Sequence, residues 1–194
     1  MSSGPGTRDR GVVRSSALVP DPDAGRSLVT DAAGSRQLGE LLDALDPACL
    51  RVLHDRHAPS GAGDIDHLAV TAAGIWVIDA RRCSGLTAFE RARGSDGVER
   101  LVVNEHCATA LLGQLGRQVE LVRAALDPED AAVEVRGALC FVDTELRLRQ
   151  REVEVAGCTI TWPRALKRVL QEPGPVDSGA RHRLVRHLAR AFPG

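Results

Sequence analysis

Residues 64–81 constrain the fold more than any other stretch of the chain. Asp64-Ile65-Asp66-His67-Leu68-Ala69-Val70-Thr71 and Gly74-Ile75-Trp76-Val77-Ile78-Asp79-Ala80-Arg81 are two β-branched, apolar runs separated only by Ala72-Ala73. Short apolar runs meeting at small residues predict a β-hairpin, with Gly74 taking the φ > 0 position. With Ala72 and Ala73 as the loop, Thr71 pairs with Gly74, and counting back along both strands sets Asp66 opposite Asp79 on one face. Arg81 lies two residues further along that face. The rest of the face is apolar (Leu68, Val70, Ile75, Val77), and Ile65, Ala69, Trp76 and Ile78 make the opposite face apolar too. Strands buried on both sides belong inside a sheet covered by helices, which predicts a three-layer α/β fold with a central mixed sheet. Two like charges opposed among apolar residues destabilise a hairpin, so something positive belongs between them. Either a divalent cation or the arginines of a structural ion-pair network meets that need.

Around this hairpin the other elements follow from period and punctuation. Met1 to Leu28 is rich in Gly, Ser, Pro and Asp without a sustained period, which reads as a flexible arm before a domain over residues 29–194. Thr30 or Asp31 can cap a helix carrying Leu38, Leu41, Leu42 and Leu45 and stopping before Pro47. Leu50 to His54 reads as a strand, and Pro59 to Gly63 as the loop into the hairpin. Leu86–Phe89 and Val98–Val103 are candidate strands either side of Gly94-Ser95-Asp96-Gly97. A helix over about Cys107 to Leu126 should bury Leu111, Leu115, Val119, Val122 and Leu126. Val133–Val142 reads as a central strand, 153–161 as a hairpin around Gly157, and two helices close the chain, from Pro163 and from Ser178 to Phe192.

Arg51-Val52-Leu53-His54-Asp55-Arg56, Asp64-Ile65-Asp66-His67-Leu68, Gly74 to Arg81 and the Gln114 helix together resemble the NERD (nuclease-related) domain, a restriction-endonuclease-like family. Order and spacing match from about Gly34 to Leu126 and more loosely to the C-terminus. The resemblance implies metal-dependent phosphodiester hydrolysis on nucleic acid, DNA before RNA, with Mg²⁺ or Mn²⁺. It implies Asp66 and Asp79 as metal ligands with the Ala80 carbonyl as a further one, and Asp66, Asp79, Arg81 and Gln114 as the catalytic set. In this family such an ion takes carboxylate oxygens, lowers the pKa of bound water and offsets charge on the phosphate.

Two positions depart from the family pattern. Arg81 stands where the family has Lys; arginine stays protonated and prefers planar, bidentate phosphate contacts, so phosphate holding survives the exchange better than catalysis. Ser35, in the pair Gly34-Ser35, stands where a helix Glu is expected. Asp31 is one turn earlier, about 40° around the helix, and Glu40 is about 140° away and should miss the site. Asp31 reads as a plain N-cap or as a partial substitute. The second functional reading is therefore a degenerate nuclease fold that binds nucleic acid or a protein partner without cleaving.

Composition limits the partners. A net charge of −1 gives no global attraction to polyanions, so nucleic acid must meet a local basic face. Gln114 with Arg117, the alternating Arg147, Arg149 and Arg151, and the helical Arg183, Arg186 and Arg190 are the candidates, each also readable as a solvated face. Lys167 is the only lysine among the 25 basic residues, so an arginine at position 81 also accords with the chain's general usage. His54, His57, His67 and Cys83 lack zinc-site spacing, and His67 falls on the face opposite Asp66 as a core histidine. Five cysteines without a C-x-x-C, no apolar leader and no membrane-length apolar run predict a reducing, cytoplasmic setting without membrane contact.

Overall fold

The computed structural model describes residues 32–59, 63–87, 89–104, 106–146 and 152–194. The arm, Thr30, Asp31, Ser60 to Ala62 and Arg147, Arg149 and Arg151 lie outside these residues. Among the described residues nine strands and four α-helices follow one another as α1 (Ala32–Asp43), β1 (Leu50–His57), β2 (Asp64–Thr71), β3 (Gly74–Thr87), β4 (Phe89–Arg93), β5 (Glu99–Val103), β6 (His106–Cys107), α2 (Thr109–Ala124), β7 (Val135–Leu146), β8 (Val153–Val155), β9 (Cys158–Thr161), α3 (Pro163–Leu170) and α4 (Ser178–Ala191).

The predicted hairpin is the centre of a six-stranded mixed sheet in the order β1-β2-β3-β7-β9-β8. β2 runs antiparallel to both β1 and β3, and β3, β7 and β9 run parallel. Thr71 pairs with Gly74 in the register counted from sequence. Gly74 takes φ 135°, and a Cβ there would stand 2.4 Å from the Glu134 carbonyl oxygen, so β7 can dock beside the turn only because this residue has no side chain.

Helices cover both faces, giving the predicted three layers. On one side α1 and α3 pack Leu38, Leu42, Leu45, Leu166 and Leu170 against Ala69, Trp76, Ile78, Ala138 and Cys140. On the other, α2 and α4 pack Leu112, Leu115, Val119, Leu184 and Leu188 against Leu68, Val70, Ile75, Val77 and Leu139, and Phe89, Leu101 and Val103 of the small β4-β5-β6 sheet join this core. Proline at its start fits α3, where that position's N–H would have no helical partner, and Asp177 Oδ1 caps α4 by accepting from Ala180 N–H at 2.8 Å.

Several expectations need correction. β1 extends to His57 rather than His54, because the ladder with β2 resumes at Arg56↔Ile65 after an interruption. That interruption also moves Ile65, which packs with Leu68 and Leu115 rather than with Ala69 and Trp76. Leu86 belongs to a long β3 held by β7 as far as Thr87↔Leu146, not to a separate strand with Phe89. Leu41 and Val98 are exposed. On α2 the buried stripe includes Leu112 and Gln118, and Leu111 and Leu126 are only partly covered at its edge.

Candidate functional site

The site forms where the central ladder comes apart. β2 and β3 pair as far as His67↔Ile78, and the next step of that register sets Asp66 level with Asp79. Here Asp66 Oδ2 accepts from Ala80 N–H at 2.9 Å, so a carboxylate replaces a backbone acceptor and the strands can diverge. Gly34 fixes the third wall. A Cβ on it would stand 2.8 Å from Arg82 Cγ and 3.2 Å from Val142 Cγ2, so the first turn of α1 lies tight on β3 and β7 and carries Ser35 to the opening.

Asp79 and Arg81 are buried on the shared face, and Arg81 Nη2 donates to Asp79 Oδ2 at 2.6 Å. Among the described residues the pair leaves Asp79 Oδ1, Arg81 Nε and Arg81 Nη1 enclosed without a hydrogen-bond partner when both acids are ionised, and a proton shared with the Asp66 carboxyl is the one further bond open to Asp79. Each such atom costs on the order of 1–3 kcal/mol, and three at one point mark a place with a use beyond stability. Burial pushes the Asp79 carboxyl up to about 7, against the Arg81 charge and assisted by the Asp66 charge. Burial also raises Asp66, against the Ala80 N–H and Arg81. Two adjoining acids that resist ionising together readily exchange a proton for a cation.

Most of the expected set comes together. A cleft of about 350 Å³ is lined by Ser35, Asp55, His57, Asp64, Asp66, Asp79, Arg81 and Gln114. Gln114 therefore faces the carboxylates across the cleft. Arg117 is exposed on the same helix and does not line it, and Glu40 opens onto a neighbouring hollow beside α1. Asp31 falls outside the described residues. Arg186 and Arg190 are exposed on α4, and Arg183 reaches Asp130 at 3.7 Å.

The histidines divide between two places, His54 with His67 on the α1 side and His57 at the cleft. His57 Nδ1 meets Asp64 Oδ1 at 2.8 Å, whereas His54 bridges Asp43 and His67 at 3.0 and 2.8 Å. His67 is buried on the α1 side, as expected, and desolvation lowers it to about 4, so it is neutral at pH 7. Cys83 is buried.

Sequence reasoning missed four members of the site. Gln118 is buried in α2 and its Nε2 donates to the Asp64 carbonyl at 2.9 Å, holding the start of β2. The Asp64–His57 pair lines the wall, and Asp55 joins the cleft from β1 with φ 52°. The one available signal for Asp55 was chemical, since aspartate tolerates the left-handed region better than most residues.

The donor set suits a hard cation: two neighbouring carboxylates, one with an unpartnered buried oxygen. Among the described residues no group of three or more His, Cys, Asp and Glu is arranged to hold a metal. Mg²⁺ is commonly held by one or two carboxylates, with water and substrate phosphate in the remaining positions, and Asp66 with Asp79 fits that mode.

A mixed sheet covered by helices on both faces, with paired acids on adjacent central strands, is a restriction-endonuclease-like architecture. Residues 30–142 match the model of the nuclease-related domain, NERD, and the chain belongs to that family. No curated protein and no solved structure matches it. No helix among the described residues is long and apolar enough to cross a membrane.

Proposed function

We propose that this protein acts on nucleic acid, DNA before RNA, by divalent-metal-dependent phosphodiester hydrolysis in the cleft between α1, β2 and β3. The observation that carries the reading is the level pair Asp66 and Asp79, with Asp79 Oδ1 buried and unpartnered at the divergence of two central strands. Asp66 and Asp79 would hold Mg²⁺ or Mn²⁺, and the ion would supply charge neutralisation at the phosphate and a more acidic water. Within a strand the N–H and C=O of one residue leave by the same edge, so the Ala80 carbonyl points to the side on which Ala80 N–H meets Asp66, as a further ligand requires. Gln114 contributes an amide that orients water or phosphate by hydrogen bonding. With a cation on Asp79, Arg81 would be the residue to hold a phosphate oxygen, through guanidinium N–H groups that Asp79 does not then occupy. Calorimetric titration with Mn²⁺ should show binding to the wild type that Asp79→Ala abolishes, and Mg²⁺-dependent cleavage of DNA should disappear in Asp66→Ala. Identical absence of binding in wild type and Asp79→Ala would remove this reading.

The second reading, binding without cleavage, is supported by Arg81 itself. Its guanidinium already neutralises Asp79, and Ser35 supplies no charge where the family has Glu. On this reading Ser35→Glu with Arg81→Lys restores both missing groups and raises cleavage far more than either change alone, because ligand and cation act on one phosphate. Wild-type cleavage lost in Asp66→Ala would decide against it. None of the five cysteines is joined in a disulfide, which supports the cytoplasmic setting inferred from sequence.

A further inference from the structure

Three adjacent strands each place one aspartate at the same level of the sheet. The β1–β2 ladder runs Leu53↔Leu68, His54↔His67, Arg56↔Ile65, so its register sets Asp55 opposite Asp66. The β2–β3 register sets Asp66 opposite Asp79. Backbone pairing is interrupted at Asp55 and stops short of Asp66 on the other side. The interruption at β1 is made by Asp55 itself, a non-glycine residue at φ 52°. A regular antiparallel pair brings opposed Cα atoms within about 5 Å, where two bare carboxylates destabilise the sheet.

Asp55 is exposed, lines the cleft shared by Ser35, Asp66 and Asp79, and makes no ion pair or side-chain hydrogen bond among the described residues. The burial of one member adds a different observation, a group that asks for a ligand: Asp79 is only 5% exposed, and with both acids ionised its Oδ1 is enclosed without a partner among the described residues. The helix that should add an acid from above presents Ser35 instead.

We infer that Asp55 is the third carboxylate of the cation site, supplying from β1 the charge that α1 lacks at Ser35. The inference rests on the cation-binding reading of Asp66 and Asp79. As the chain stands the three carboxylates do not converge; the unpaired Asp55 side chain turns about χ1 to meet a cation held by the other two. A third anionic ligand matters most in a chain of net charge −1, where no wider acidic field concentrates cations.

The test is Mn²⁺ binding by the full chain, read by calorimetry and by the electron paramagnetic resonance signal of free Mn²⁺. Asp55→Asn keeps the size and the tolerance of positive φ, and Asp55→Gly removes the backbone strain altogether. Both should weaken Mn²⁺ binding about tenfold or more while thermal unfolding without metal is unchanged or, for glycine, shifted upward. Asp64→Asn removes an equal charge from the same cleft, but from a carboxylate already engaged by His57, and should cost far less. Wild-type affinity in both Asp55 variants, with binding abolished by Asp79→Ala, overturns the role of Asp55 and leaves the two-carboxylate reading standing. Equal losses in Asp55→Asn and Asp64→Asn reduce the effect to general charge and also overturn it. No binding by the wild type removes both.

Discussion

Asp79 and His67 lie on opposite faces of the same sheet and bind protons against opposite trends. Burial raises Asp79 from 3.8 to about 7, so the folded state binds its proton more tightly than the unfolded chain does. The stability from this group is full below about pH 4 and is lost as pH rises to 7. His67 is lowered from 6.5 to about 4, so its contribution is full above 6.5 and is lost as pH falls towards 4. Between these limits the two slopes oppose one another. Asp79→Asn removes one of them, and its unfolding free energy by urea titration should fall more steeply than the wild type's from pH 6.5 to 4, by a difference on the order of 2–3 kcal/mol. Parallel profiles for the two proteins would show that Asp79 ionises at its ordinary pH.

Among the elements, the β2–β3 hairpin and α2 impose opposite demands on glycine. Gly74 has φ 135° and the Glu134 carbonyl where a Cβ would stand, and Ile75 N–H bonds that same oxygen at 2.9 Å. Gly74→Ala must therefore push β7 away from the turn and should destabilise by about 3 kcal/mol. Gly116, inside α2, has nothing within 4 Å of an added Cβ. Gly116→Ala should stabilise by about 0.5–1 kcal/mol through the unfolded chain's lost freedom. Urea denaturation of the two variants checks both signs. The hairpin also fixes the site, since the register that starts at Thr71↔Gly74 brings Asp66 and Asp79 level five residues later.

For the whole molecule, both cores are built on one sheet, so neither layer can unfold alone without stripping the other's floor. Trp76 lies in the α1/α3 core, and Trp162 packs against the α2/α4 core, 6.2 Å from Phe89. They are the only two tryptophans, and tyrosine is absent. In Trp76→Phe the fluorescence reports one layer, and in Trp162→Phe the other. Within each variant, the denaturation midpoint by fluorescence should coincide with that by far-ultraviolet circular dichroism, as one cooperative transition requires. Separate midpoints would show that a layer melts independently.

The sequence by itself determined the hairpin, its register, the two-sided burial and hence the three layers, together with the Asp66, Asp79 and Arg81 face. These follow from period-2 alternation and one glycine, which act over a few residues and leave a pattern in the chain. Ser35 and Gln114 were legible only through family resemblance, because nothing local ties a helix residue to a strand carboxylate far along the chain. Tertiary structure alone decided that Arg81 locks onto Asp79, that His54 turns to His67 and Asp43 rather than to His57, and that Asp55 joins the row. The physical reason is the same in each case. Ion-pair choice depends on which charges share a buried volume, and the left-handed turn at Asp55 is imposed where a ladder opens between like charges, neither of which is written in the period of the sequence.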